Sequence, residues 1–170
     1  DLHVKDAIGR RWQLSTIQVD FAQPDNFNLQ FVDSNNKRVK PVMIHRALLG
    51  SIERFTGILI ENYAGEFPGW LSPVQVKVLT IGDVSNYLNK ITKSLKGFRY
   101  DVDDRNLRLG EKLHDASKDK VPITLIVGEK DELSNTLALN IRSQDNQQNV
   151  KYEDAIKQIK ANLKTPIFKI

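Results

Sequence analysis

Hydrophobic and polar residues alternate in the first part of the chain, most clearly between Arg11 and Phe21. Alternation of this kind is typical of a strand with one buried face, so it predicts a strand over Arg11–Phe21. Two further strands are predicted at Leu29–Phe31 and Val42–Ile44, joined by the turn-forming run Asp33–Asn36. We therefore expect an antiparallel meander.

The spacing of apolar residues changes after Gly50. From Ile52 to Tyr63 they recur at helical spacing, with Ser51 as a suitable N-cap and Gly65 as a suitable stop. We predict a largely buried helix after the sheet.

Strand and helix patterns alternate in the rest of the chain. The predicted elements are strand Val74–Val78, a helix from Asp83 stopped at Gly97, strand Phe98–Val102, a short helix around Leu109–Leu113, strand Val121–Val127, strand Thr136–Ile141 and a helix through Ile156–Leu163. Gln144–Asn149 reads as a polar turn. The fold class is α/β, with a small mixed sheet and helices packed on it.

The segment Phe67–Pro73 is rich in proline and glycine and separates a helix from a strand. We expect a domain boundary there, with one domain over residues 1–70 and a second over residues 71–170. The first residue is Asp1 rather than Met, so we also expect a fragment or a processed product.

Composition narrows the class of protein. With 40% hydrophobic and 27% charged residues, the chain is typical of a globular protein, and its apolar runs are far shorter than the roughly 20 residues of a membrane span. There is no cysteine, so the chain alone cannot form a disulfide or a thiolate metal site.

The net charge of +4 lies wholly beyond Pro73, because the residues up to Pro73 contain eight basic and eight acidic side chains. That excess is only a weak indication of nucleic-acid binding.

No phosphate-binding glycine loop, nucleophile elbow or paired-histidine motif is present. The notable side chain is Arg54, on the first turn of the predicted apolar helix. Either its stem packs on the core while its head pairs with a carboxylate, or its guanidinium clamps a triphosphate. The pattern alone leaves both interpretations open.

The sequence from Gly50 to Phe55 resembles motif 3 of the class II aminoacyl-tRNA synthetases, whose arginine contacts the triphosphate of ATP. The preceding run from Pro41 to Gly50 is similar to the threonyl-tRNA synthetases in particular. This resemblance implies that Arg54 is the catalytic, triphosphate-binding arginine. It also implies that His45 is one of three zinc ligands, the others lying outside this chain, and that the zinc reads the amine and hydroxyl of threonine.

The run from Trp12 to Phe21 resembles the family's strand whose two glutamines and threonine line the adenylate site. The resemblance assigns ATP and substrate binding to Gln13, Thr16 and Gln18. In strict alternation the two glutamines face opposite sides of a strand, so their joint use requires a bulge or twist, expected at Ser15. Where the family has Cys-Gly or Cys-Ala, this chain has Leu14-Ser15.

The sequence beyond Pro73 resembles the family's anticodon-binding domain. The resemblance places Asn106 at an anticodon contact, with Arg105 beside it, and Asp131 and Asn140 where bacterial relatives have glutamate and arginine. His114 replaces another basic residue. Arg142 is a candidate for the missing guanidinium, and Asp131 has an equal alternative as an ordinary loop carboxylate.

The resemblance implies a threonine-tRNA ligase that uses ATP with Mg²⁺, binds tRNA(Thr) and forms a homodimer through segments mostly absent here. The fragment alone is expected to be inactive. The alternative is a non-catalytic, synthetase-like accessory protein that binds nucleic acid. A basic composition rich in lysine and asparagine favours the mitochondrial matrix, with the cytoplasm as the alternative.

Overall fold

The computed structural model describes residues 1–166. Contacts divide the chain into two compact units, Asp1–Gly65 and Glu66–Ile170.

The first unit is built on a small antiparallel sheet. Its elements are β1 (Leu2–Lys5), β2 (Arg11–Asp20), α1 (Ala22–Asn26), β3 (Phe31–Val32), β4 (Arg38–Val39), β5 (Met43–Ala47) and α2 (Ile52–Tyr63). The sheet has the strand order β1-β2-β5, and β3 pairs with β4 in a separate hairpin.

The predicted strand at Arg11–Phe21 is confirmed, but the predicted meander is wrong. The turn at Asp33 brings Phe31 opposite Val39, since the Asp33 carboxylate accepts hydrogen bonds from the Asn35 and Lys37 amides at 2.9 and 2.8 Å. The third predicted strand, Val42–Ile44, corresponds to β5, which pairs with β2 rather than with the hairpin.

Helix α2 begins and ends as predicted. The Arg54 amide donates to the Ser51 hydroxyl at 3.1 Å, and Gly65 follows the helix with φ +78°. The expectation of a largely buried helix is wrong, because Ile58 is its buried residue and Ile52 is 60% exposed. Phe55, Leu59 and Tyr63 on its apolar face are partly buried.

The second unit contains a mixed sheet, which confirms the predicted fold class. Its elements are β6 (Val76–Ile81), α3 (Ser85–Ser94), β7 (Tyr100–Asp103), α4 (Leu109–Lys118), β8 (Ile123–Gly128), α5 (Glu129–Ser134), β9 (Thr136–Ile141), β10 (Gln147–Lys151) and α6 (Tyr152–Asn162). The strand order is β10-β9-β8-β6-β7, with β6 parallel to β7 and β8, and β9 antiparallel to both of its neighbours. The predicted turn at Gln144–Asn149 is wrong in part, because its second half lies in the edge strand β10.

The hydrophobic core of the second unit lies between the sheet and helices α3 and α6. Strand residues such as Val78 and Leu125 pack there with Ile91 and Ile159. Helix α4 lies on the other face, where the ammonium group of the buried Lys112 donates to the carbonyl oxygens of Thr80 and Asp103 at 2.8 and 3.1 Å. The sheet is therefore covered on both faces.

Candidate functional site

Strand β2 contains a bulge at Leu14, one residue before the position predicted from the sequence. Gln13 pairs with His3, and Ser15 pairs with Leu2, so Leu14 is an extra residue on β2. Neighbouring residues of a strand point to opposite faces, and an inserted residue reverses the alternation beyond it.

This bulge brings four of the predicted site residues onto one face of the sheet. Beyond the bulge, Thr16 and Gln18 lie on the same face as Gln13. On the neighbouring strand, His45 is paired with Gln18, and paired residues share a face. Without the bulge, the two glutamines would lie on opposite faces.

The hydroxyl oxygen of Thr16 is buried within this face. Among the described residues, it is the one buried side-chain polar atom without a hydrogen-bond partner. Leaving a buried hydroxyl unpaired costs about 1–3 kcal/mol. A polar group of a ligand bound here would remove that cost.

His45 is held by a carboxylate on the same face. Its Nε2 lies 2.9 Å from Oδ2 of Asp20, and the imidazole is about half exposed. Oδ1 of Asp20 accepts the amides of Ala22 and Gln23 at 2.8 and 3.0 Å. The hydrogen bond from the Gln23 amide, followed by the one from His45, lowers the pKa of Asp20. Sequence reasoning missed Asp20, because its role depends on the pairing of β2 with β5.

Arg54 does not join this face. Its guanidinium carbon lies 5.6 Å from the centroid of the Trp12 ring, and that of Arg10 lies 5.5 Å from it. Trp12 precedes Gln13 in the regular part of β2, so its side chain leaves the sheet on the opposite face. The exposed Arg54 side chain must therefore leave Trp12 before it can reach a ligand beside Gln13.

The Trp12 platform is anchored by Asp6. The indole Nε1 and the Arg10 Nε donate to the same oxygen of Asp6 at 2.9 and 2.5 Å. Burial raises the pKa of Asp6, but the hydrogen bonds from Trp12 and Arg10 outweigh it and lower that pKa to about 2. The carboxylate is thus ionised when it holds the indole.

In the second unit, Arg105 is engaged by two carboxylates. It contacts Oδ1 and Oδ2 of Asp103 at 2.9 and 2.6 Å and Asp115 at 2.7 Å. The hydrogen bonds from Arg105 are the main reason that the pKa of Asp103 falls to about 2. This network shapes the start of the loop that carries the exposed residue Asn106.

Asp131 caps the start of helix α5. Its Oδ2 accepts the Gly128 amide at 2.9 Å, and its Oδ1 lies 3.4 Å from the Thr136 hydroxyl. The structure therefore gives this carboxylate a local role at the start of a helix.

Asn140 and Arg142 line one cavity of about 140 Å³, beside Lys120 and Thr124. The Arg142 guanidinium donates to the carbonyl oxygen of Lys120 at 3.0 Å and to that of Phe67. The Arg142 guanidinium is thus engaged by backbone carbonyl oxygens. Asn140 is half-buried at the cavity wall.

Two family models match the chain. The tRNA synthetase class II core domain (G, H, P, S and T) matches residues 1–63, and the anticodon binding domain matches residues 75–162. These matches cover the sheet with its bulge and the mixed sheet of the second unit.

Curated relatives are threonine–tRNA ligases. The protein of Clostridium tetani is 49% identical over 85% of this chain and 23% of its own length. The protein of Clostridium botulinum strain Okra is 43% identical over 96% of this chain and 26% of its own length. The chain thus spans about a quarter of the curated relatives it matches.

Solved structures agree in fold. The RNA binding domain of threonyl-tRNA synthetase from Cryptosporidium parvum superposes with a TM-score of 0.79 at 29% identity, over 94% of this chain and 42% of that one. A putative threonyl-tRNA synthetase from Aeropyrum pernix superposes with a TM-score of 0.58 at 27% identity, over 95% of this chain and 40% of that one.

The fold and the matched domains define the chain as a member of the class II aminoacyl-tRNA synthetases. Within that class, it belongs to the threonyl-tRNA synthetase family and corresponds to the C-terminal portion of its members.

Two observations concern metals and membranes. Within residues 1–166, no group of three or more histidine, cysteine or acidic side chains is placed to hold a metal ion. Over the same residues, no helix combines the length and apolarity needed to cross a membrane.

Proposed function

We propose that this chain is the part of a threonine–tRNA ligase that completes the substrate face of the catalytic sheet and binds the anticodon of tRNA(Thr). The observation that carries the proposal is the bulge in β2, which brings Gln13, Thr16, Gln18 and His45 onto one face. In the reaction, the threonine carboxylate attacks the α-phosphate of ATP, with Mg²⁺, which gives threonyl-adenylate and releases pyrophosphate. The terminal hydroxyl of tRNA then takes the threonyl group, and AMP is released.

On this face the amides of Gln13 and Gln18 can both donate and accept, which suits contacts with ribose, phosphate or the amino acid. The unpartnered hydroxyl of Thr16 supplies a further contact. Arg54 releases Trp12 and neutralises triphosphate charge. Such positioning and charge stabilisation account for most of the rate enhancement in phosphate chemistry of this kind.

His45 fits the role of one zinc ligand. Its Nε2 faces the Asp20 carboxylate, which is the usual environment of a metal-binding imidazole, and the ring is accessible. When bound, zinc supplies a Lewis acid that recognises the amine and hydroxyl of threonine. The remaining ligands come from the part of the protein outside this chain.

The second unit binds the anticodon through the loop after β7 and the cavity beside β9. Asn106 and Asn140 offer amides for the edges of unstacked bases. Arg105, Asp131 and Arg142 shape this surface through the contacts that hold them. We propose further that the complete protein is a homodimer and acts in the mitochondrial matrix, as the lysine- and asparagine-rich composition suggests, with the cytoplasm as the alternative.

The experiment compares Arg54→Ala with the wild type in the full-length protein. Threonine-dependent exchange of pyrophosphate into ATP should fall by about 100-fold or more, while the affinity for tRNA(Thr) stays within about twofold. Arg38→Ala, an equal loss of charge in the β3–β4 hairpin, is the control and should leave exchange unchanged. A wild-type protein that binds tRNA but supports no exchange with zinc present would identify a non-catalytic accessory protein instead.

A further inference from the structure

The Asp20 carboxylate is fixed independently of His45. The backbone amides of the first two residues of helix α1, Ala22 and Gln23, donate hydrogen bonds to its Oδ1 at 2.8 and 3.0 Å. Its side chain is 23% exposed. One oxygen is therefore held by the backbone, and the other is directed toward the neighbouring strand.

The second oxygen, Oδ2, meets Nε2 of His45 at 2.9 Å. The contact is diagonal in the sheet, because His45 is paired with Gln18 and Asp20 is paired with Met43. Diagonal neighbours on one face are close enough for longer side chains to interact. The position of the carboxylate is thus set by strand register and by the start of a helix.

This contact fixes the tautomer of the imidazole. An ionised carboxylate can only accept hydrogen bonds, so the proton of neutral His45 must lie on Nε2. The lone pair is then on Nδ1, and only a ring nitrogen with a free lone pair can bind a metal ion. A ring free to choose its tautomer would lose part of its affinity for the metal.

We propose that Asp20 is a positioning residue of the zinc site, which holds the His45 imidazole in the tautomer that presents Nδ1 to zinc. This inference rests on the proposed zinc role of His45. Outer carboxylates of this kind typically change metal affinity by 10–100-fold.

Asp20→Asn is the informative variant. The amide oxygen can keep the two backbone hydrogen bonds, but the NH₂ group then faces Nε2 and favours the tautomer with the proton on Nδ1. Asp33→Asn is a matched control, because Asp33 also accepts two backbone amides through Oδ1, at 2.9 and 2.8 Å, in a turn of the same unit. Asp20→Ala removes the carboxylate without placing a donor beside the ring. It tests the loss of the carboxylate if Asp20→Asn folds poorly.

The experiment measures zinc affinity of the full-length protein by competition with a chromophoric chelator, and the visible spectrum after Co²⁺ replaces zinc. Asp20→Asn and Asp20→Ala should bind zinc about 10–100-fold more weakly, and the cobalt bands of Asp20→Asn should shift. Asp33→Asn should match the wild type in both measurements, and His45→Ala should lose zinc.

Two results would overturn the inference in distinguishable ways. If His45→Ala loses zinc but both Asp20 variants keep wild-type affinity and spectra, Asp20 has no role at the metal. If His45→Ala itself keeps wild-type affinity, the proposed zinc ligand is wrong and the inference about Asp20 fails with it.

Discussion

Replacing Asp103 with Asn removes one of the two carboxylates that hold Arg105 in the second unit. Hydrogen bonds from Arg105 lower the pKa of Asp103 from 3.8 to about 2. Each tenfold change in proton affinity corresponds to about 1.4 kcal/mol, so ionised Asp103 stabilises the folded state by about 2 kcal/mol at neutral pH. The Asp103 side chain is 3% exposed but that of Arg105 is 52% exposed, so solvent screening reduces this to about 1–2 kcal/mol.

The assay is urea unfolding of the second unit, from Glu66 onward, because the residues of its hydrophobic core all belong to that unit. The unfolding free energies of the wild type and of Asp103→Asn are compared between pH 7 and pH 2. Because the pKa is lower in the folded state, the stabilisation is complete above the unfolded pKa of about 4. It disappears as the pH falls toward 2, so the difference between the two proteins should close over that interval. Asp104→Asn, at the exposed neighbouring position, should change the unfolding free energy by less than about 0.5 kcal/mol. A difference that stays constant with pH would refute the electrostatic explanation.

Glycine and leucine substitutions test the packing, each with a control in the same unit. Gly50→Ala should destabilise the full-length protein by about 1–3 kcal/mol, because φ at Gly50 is +65° and an added Cβ would lie 3.0 Å from the Leu14 carbonyl oxygen. The control is Gly57→Ala, in a helix with open space around it, which should stabilise the protein by up to about 1 kcal/mol. Equal thermal shifts for the pair would contradict this. Leu125→Ala should cost about 2–5 kcal/mol in urea unfolding of the second unit, whereas Leu133→Ala, at an 88% exposed position, should cost less than about 0.5 kcal/mol. Similar losses for both leucines would show that the core is elsewhere.

The sequence predicted the elements whose signals are local. Alternation marked β2, and the Ser51 cap with the Gly65 stop marked α2, because these features act within a few residues. The β3–β4 hairpin was misassigned because strands of two residues carry no periodicity. Edge strand β10 was missed because its sequence, Gln147–Lys151, contains one apolar residue and reads as a turn.

The candidate site was predictable only in part. The bulge followed from the need to place Gln13 and Gln18 together, which came from family resemblance rather than from local propensity. The Asp20–His45 contact depends on strand pairing across 25 residues, and the contact of Arg54 with Trp12 depends on how α2 packs. Such contacts arise from tertiary structure and leave no local pattern in the sequence.

In the proposed function, the face formed by Gln13, Thr16, Gln18 and His45 belongs to an enzyme that attaches threonine to tRNA. The most direct test is to incubate the full-length protein with labelled threonine, tRNA(Thr), ATP, Mg²⁺ and zinc, and to measure acid-precipitable threonyl-tRNA. We expect ATP-dependent charging with threonine that is strongly reduced in Gln18→Ala. Binding of tRNA(Thr) without any threonyl-tRNA formed would contradict it.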